Sequence, residues 1–373
     1  MPNAAAATLA LIWLVPGTGS PPSVALERSV GDARASWDAG RLALDVVNDA
    51  LGTTMDEGWS SGMRITTRFA PFIGDGVRGW LRGDLRRAAR VEHWGATVAW
   101  DIYTPTDLDA TTAEELADDR PYAGFMGGAI FDEIVFAGSI APGGYTIAHL
   151  SLEGGVVGPS THTEEIQRTW HNWLRRSLNR QVTPRDPQGW DVYQIPDAFL
   201  IGLRARLESD AFRSAWGNGR ARDRHGSQGG SRLSGFTECD LGTIRVECDF
   251  GSTFRVGWMP DITLQGALPV NTWDQAVTGR APRLPLSGYF FLSGIARVTL
   301  FNAFLDGPVG STNSPTQDRR SLGAEAQAGI AARIGGFELL YRQIVQTREY
   351  EHIPPEAVKI QMLGQVVLSG AWD

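Results

Sequence analysis

Two stretches of this chain carry side chains that could do chemistry. The first is Gly158-Pro159-Ser160-Thr161-His162-Thr163-Glu164-Glu165-Ile166-Gln167-Arg168-Thr169-Trp170-His171. A strand end at Gly154-Gly155-Val156-Val157 leads into it, Gly158-Pro159 makes a turn, and the polar run beyond reads as a helix bearing His171. Histidine is the usual proton acceptor near neutral pH. A helical His can also merely pack, here against Trp170 or Trp173. The second stretch is Asn48-Asp49, followed by Asp56-Glu57-Gly58-Trp59-Ser60-Ser61-Gly62. A carboxylate at a strand end, near amide and hydroxyl oxygens, suits a hard cation such as calcium. Asn and Asp also cap turns through their own backbone, and taken alone Asn48-Asp49 is better explained as a turn.

The elements that must position these groups are short alternating strands. Met63, Ile65, Thr67 and Phe69 alternate with Arg64, Thr66 and Arg68. Trp94, Ala96, Val98, Trp100 and Ile102 alternate with Gly95, Thr97, Ala99 and Asp101. The same two-residue period recurs in the runs from Phe199 to Leu207, Ile244 to Cys248, Phe290 to Leu300 and Ala324 to Ile334, and again at Val366 and Leu368. Before them, Leu42, Leu44 and Val46 share one face. Such a period marks half-buried strands. Segments of about ten residues, apolar on one side and charged on the other, are expected of a transmembrane barrel. A soluble sandwich or barrel alternates as well, so the period alone leaves both open. A helix with a His and several carboxylates, set into an otherwise all-β chain, is a departure of the kind found at functional sites.

Composition narrows the class. A net charge of -8 argues against nucleic acid as a partner, since neutralising phosphates requires a basic surface. Lys359 is the sole lysine, so nearly all positive charge is Arg. Residues 4 to 15 form an apolar run too short to span a bilayer, followed by the small residues of Pro16-Gly17-Thr18-Gly19-Ser20. Residues 1–20 therefore read as a secretory signal peptide without a basic start, and 21–373 as one barrel domain. With no apolar run long enough for a membrane helix, a membrane protein of this sequence must be a barrel, and the penultimate Trp372 favours one. Cys239 and Cys248 could pair across a hairpin in an oxidising compartment, while the lack of a CxxC or nearby His argues against zinc. Three polar segments, Ser209 to Arg232, Asp261 to Pro285 and Gly307 to Arg320, read as outer loops. Within the first, Arg213, Arg220, Arg222, Arg224 and Arg232 could donate to phosphates or simply be solvated.

Several ordered blocks together resemble the outer-membrane lipid A 3′-O-deacylase family. They are Val47-Asn48-Asp49 with Asp56 to Gly62; Asp101-Ile102-Tyr103-Thr104-Pro105 with Asp118-Asp119-Arg120-Pro121-Tyr122-Ala123-Gly124; Gly158-Pro159 through Gln167 to His171 with Gly189-Trp190; and Asn302-Ala303-Phe304-Leu305-Asp306-Gly307 with Arg348-Glu349-Tyr350. The resemblance implies an antiparallel barrel of about twelve strands in the outer membrane of Gram-negative bacteria, with a helix inserted after Gly158-Pro159. It implies a calcium-dependent ester hydrolase that removes the 3′-linked acyl chains of lipid A, acting on lipopolysaccharide of the outer leaflet; the oligomeric state is open, with a monomer as the default expectation. The family's site residues fall on Asn48, Asp49, Ser60 and His171, with Asp49 as a calcium ligand. In those roles His171 would take a proton from water, Asp49-bound calcium would polarise the ester, and Asn48 and Ser60 would orient the reactants. Ser60 as a nucleophile with His171 as base is the other route.

The sequence departs from the family in two places. Trp59 stands where the family has Tyr, and Ser177 stands where it has a carboxylate six residues after the His. An orienting carboxylate fixes the tautomer of a catalytic His. The competing expectation is a non-catalytic barrel, porin-like or structural, with Arg204, Arg206, Arg245, Arg255 and Arg297 lining an anion path.

Overall fold

The computed structural model describes residues 40–51, 58–69, 89–137, 144–177, 186–215, 227–260, 287–334, 337–351 and 360–372. The expected signal peptide and the Asp56-Glu57 pair lie outside them. Twelve antiparallel strands form one closed barrel: β1 (Gly40–Asn48), β2 (Gly58–Arg68), β3 (Ala89–Thr104), β4 (Ala123–Ala137), β5 (Tyr145–Val157), β6 (Ala198–Ala215), β7 (Ser227–Gly242), β8 (Arg245–Pro260), β9 (Ser287–Asn302), β10 (Leu322–Ile334), β11 (Phe337–Thr347) and β12 (Ile360–Trp372). Each strand pairs with its sequence neighbours, and β1 closes against β12 with Asn48 opposite Gly364. Helix α1 (Thr163–Ser177) follows β5, and a one-turn helix α2 (Ala303–Asp306) follows β9.

Burial settles what the period could not. The apolar members of the alternating runs are exposed: Val98, Phe199 at 69 %, Ile201, Leu292, Leu300 and Ile330 all face outward. Their charged alternates are buried, with Arg204 and Arg255 at 0 %. A soluble protein shows the reverse, since burying apolar surface is its main driving force. A wall with an apolar outside and a charged inside is that of a membrane barrel.

The charged interior is filled with ion pairs that step from strand to strand. Arg64 of β2 bridges Asp45 of β1 at 3.4 Å and Asp101 of β3 at 3.2 Å. Arg204 meets Glu153 at 2.9 Å and Asp240 at 2.8 Å. Arg206 joins Glu208 and Glu238, Arg255 joins Glu208, and Arg245 lies 3.9 Å from Glu247. Arg297 reaches Asp249, Glu247 and Glu325 at 3.0 to 3.2 Å. All five arginines expected to line an anion path are therefore engaged by carboxylates, each buried charge being tolerated because it is paired.

At the end of the barrel where α1 sits, the interior is stoppered by apolar side chains. Phe304 of α2 stacks on Tyr103 at 4.5 Å and meets Phe125 edge-on at 5.8 Å, within a cluster that includes Val47, Leu200, Ile244 and Leu363. Asn302 caps α2 by accepting from Phe304 N at 3.0 Å. The Asn302–Gly307 block thus builds a plug.

The polar segments are partly re-assigned. Ser209–Ala215 continues β6 and Ser227–Arg232 begins β7, so these residues are wall rather than loop. Arg213 and Arg232 lie 3.9 and 3.7 Å from Asp210, whereas Arg220, Arg222 and Arg224 fall outside the described residues. By strand direction, both this connection and the one between β8 and β9 leave from the rim opposite α1, and only Gly307–Arg320 lies on the α1 side. Cys239 and Cys248 face each other across β7 and β8 and are joined by a disulfide.

Candidate functional site

A single row across the wall relates Asn48 to the seat of the helix. Asn48 of β1 lies opposite Ser61 of β2, Ser61 opposite Ile102 of β3, and Ile102 opposite Gly124 of β4. Residues directly opposite share a face. Leu42 and Leu44 are exposed while Ala43, Asp45 and Val47 are buried, so this face is the outer one. Trp59 pairs with Tyr103 and Ser61 with Ile102, which makes Ser60 the extra residue of a β-bulge. Bulges re-aim side chains and are frequent beside active sites.

Asp49 leaves the row in a short 3-10 turn, Asp49–Leu51, and is itself buried. The expectation of a turn at Asn48-Asp49 holds. The turn folds over the outer face of β12: a Cβ added to Gly364 would lie 2.5 Å from Leu51 Cβ, and the Tyr341 hydroxyl donates to Leu51 O at 3.3 Å.

On the other flank, α1 is seated against the same outer face. Gly158, at φ 111°, donates its N–H to Gly124 O at 3.0 Å. That positive φ suits only glycine, and Asp197 occupies the space a side chain would need. Thr161 and Thr163 then lie directly over Gly124, where an added Cβ would fall 2.0 Å from Thr163 Oγ1. Trp100 of β3 donates from Nε1 to Thr163 Oγ1 at 3.1 Å. Glu164 and Glu165 in the first turn and Arg175 and Arg176 in the last complement the helix dipole.

One turn on, Gln167 accepts from Trp190 Nε1 at 3.1 Å. Trp190 packs on Tyr122 at 4.7 Å, and Gly189 is small because Leu116 and Tyr122 occupy its side-chain space. Asp119 anchors this layer. It accepts from Thr106 N at 2.6 Å, Asp107 N at 3.2 Å, Arg120 N at 2.8 Å and the Tyr350 hydroxyl at 2.9 Å. Burial, and then the Asp119 charge, push the Tyr350 hydroxyl up to about 12, so it stays protonated and donates. Arg348 reaches Thr106 and Tyr350, and Arg120 reaches Glu349. The Asp118–Gly124 and Arg348–Tyr350 blocks are thus one scaffold that holds α1.

His171 is buried on the side of α1 that also carries Thr163 and Gln167. Its Nδ1 lies 3.7 Å from Asp186 Oδ1, beyond hydrogen-bond distance. Asp186 is gripped by Arg175 at 2.6 and 2.8 Å. Glu165 instead points outward and pairs with His162. Sequence reading missed Asp186, because it lies fifteen residues beyond the His in a stretch with no periodic signal. Asn48 and the seat of α1 at Gly124 therefore share the outer face of the wall, Asp49 and the Ser60 bulge lie at the same rim, Asn48 is joined to Ser61 by register, and His171 lies beside Asp186. Among the described residues, no group of three or more His, Cys, Asp or Glu is arranged to hold a metal.

The family model of the outer membrane protein LpxR matches residues 11–372. The chain belongs to the LpxR family. Among solved structures it is similar to LpxR from Salmonella typhimurium, with a TM-score of 0.65 at 14 % identity, covering 88 % of this chain and 99 % of that one. It is also similar, at a TM-score of 0.39 and 11 % identity, to the β domain of the Bordetella autotransporter BrkA, covering 90 % of this chain and 100 % of that one. No curated protein matches it. As an LpxR-family member with a closed twelve-stranded wall, the protein is an outer-membrane barrel.

Proposed function

We propose that this barrel is a lipid A hydrolase that removes 3′-linked acyl chains, working on the outer face of its wall between the Asn48–Asp49 turn and α1. The observation that carries the reading is the row Asn48–Ser61–Ile102–Gly124, which sets the oxygen-bearing turn and the seat of the His-bearing helix on the outer face of the wall. Three strand spacings separate Asn48 from Gly124, about 14 Å. Eight helical residues from Thr163 to His171 advance about 12 Å, a length comparable with that gap.

With Asp186 beside Nδ1, the other ring nitrogen of His171, Nε2, is the proton acceptor. It takes a proton from water as the water oxygen bonds to the ester carbonyl carbon. The acyl–oxygen bond then breaks, and the same proton returns to the departing sugar hydroxyl. Asp186 holds the ring and balances its transient charge. Asn48 and Ser60 orient water and ester by hydrogen bonds. The water route is preferred over attack by Ser60. The donors at the Asn48–Asp49 turn are oxygens only, which fits calcium rather than zinc, with Asp49 as its carboxylate and amide, backbone or water oxygens completing the shell. Calcium bound there would polarise the ester carbonyl.

The stoppered interior and paired lumen arginines weigh against the porin-like alternative. The deciding experiment is mass spectrometry of lipid A from a Gram-negative host expressing this chain, beside His171→Ala, with and without a calcium chelator. Loss of a 3′-acyloxyacyl mass that vanishes with the variant and the chelator is expected. Unchanged lipid A from a correctly folded barrel would sink the proposal.

A further inference from the structure

Helix α1 has three distinct flanks. At 3.6 residues per turn, Thr163, Gln167 and His171 fall within one arc of about 80°, and that arc is the buried one. Ile166, Trp170 and Trp173 form a second stripe, centred about 90° to one side of it. This stripe is exposed, with Trp170 at 52 % and Trp173 at 53 %, and the two indoles stack on each other at 5.0 Å. Glu164, Arg168 and Arg175 occupy the opposite flank, where Arg168 pairs with Glu164 and Arg175 with Asp186.

An exposed apolar stripe of this size needs a partner. The wall supplies the direction. Helix α1 is docked over Gly124, and the next outward residue of β4 is Met126, which is exposed. Trp100 on β3 and Val156 on β5 lie directly opposite it, and Val98 is the next outward residue of β3; Val98 and Val156 are exposed. These belong to the apolar band that meets the acyl chains, so an established lipid-facing surface begins at the next outward residues beyond the seat of the helix. Tryptophan prefers the boundary between headgroup and acyl chain, and an amphipathic helix lies in that plane with its charged flank to water.

We propose that α1 is a membrane-interface helix. It clasps the barrel with the Thr163–His171 flank, rests the Ile166–Trp170–Trp173 flank in the surrounding leaflet, and turns the Glu164–Arg168–Arg175 flank to water. The inference depends on the outer-membrane fold and not on the hydrolase reading, and it holds for an inactive barrel as well.

Trp170→Cys, Trp173→Cys, Arg168→Cys and Val98→Cys test it. The two native cysteines are joined to each other, so each new thiol takes a single environment-sensitive fluorophore. The full chain is reconstituted in phosphatidylcholine vesicles containing lipids brominated on the acyl chain, and barrel closure of each variant is checked by heat-dependent gel mobility. Labels at 170 and 173 are expected to be quenched by bromine to at least half the extent seen at 98. Iodide from the water phase should quench them at least threefold less than the label at 168. Quenching by iodide within twofold of position 168 overturns the proposal. If one of the Trp sites prevents closure, the other and Ile166→Cys carry the same comparison.

Discussion

His171 Nδ1 faces Asp186 Oδ1 at 3.7 Å, and Asp186 is held there by two contacts from Arg175, one turn further along the same helix. Ser177 stands where the family resemblance led to the expectation of a carboxylate, yet a carboxylate still approaches the ring. It arrives from the segment after the helix. If Asp186 positions His171, Asp186→Asn should lower the rate of lipid A deacylation by about ten- to a hundredfold, chiefly in kcat with little change in KM. Asp186→Glu should keep more of the activity, and Arg175→Ala should lose less than Asp186→Asn. Equal kcat in Asp186→Asn and the parent protein would remove Asp186 from the site.

Gly124 leaves room for Thr161 and Thr163 and for no side chain of its own. In Gly124→Val the helix must lift from the wall while the strand itself, which tolerates β-branched residues, remains. Activity should fall by more than about tenfold with unaltered heat-dependent gel mobility, since a misplacement of about 1 Å can cost a hundredfold. A fully active Gly124→Val would show that the helix seat is not needed.

Trp190→Phe removes the donor to Gln167 and leaves a buried amide oxygen unsatisfied, at a cost of about 1–3 kcal/mol. The loss falls on the docking of α1 and not on barrel closure. Hydrogen exchange of the α1 amides should rise in this variant while that of β4 and β5 stays as it was. Parallel changes in helix and strands would argue that the two are one cooperative unit.

Arg297 compensates three buried carboxylates. Arg297→Met takes the arginine from Asp249 and weakens the compensation of Glu247 and Glu325, and a loss of about 3–5 kcal/mol in urea unfolding from detergent or vesicles is expected. Planar-bilayer recordings should give no stable conductance for the parent protein, because its lumen is both ion-paired and stoppered. Steady anion current through the parent would revive the porin-like reading.

The barrel was legible where the wall alternates strictly. Outward Phe199, Ile201 and Leu203 against inward Arg204 and Arg206 name their strand at sight. It was hidden in β4 and β7, whose runs Ala123–Ala137 and Ser227–Gly242 are broken by glycine. Glycines of the wall make room for inward aromatic rings: a Cβ at Gly95 would collide with Phe131, and one at Gly329 with Phe291. Such cross-strand pairs erase the local alternation while serving the sheet. The candidate residues Asn48, Asp49, Ser60 and His171 could be named as a set only through the family resemblance. Asp186 could not be, because its relation to His171 is made by the fold of the 186–195 segment onto α1 and has no sequence period.

The candidate site also straddles the seam of the barrel. Asn48 lies between Ser61 of β2 and Gly364 of β12, the first strand pairing with the last. Until β12 docks, the Asp49–Leu51 turn lacks the Gly364 face that it folds over, although α1 and its scaffold can already be complete. A hydrolase built this way would be silent throughout its transit to the membrane. Its activity would begin with closure, and so only where its lipid substrate already surrounds it.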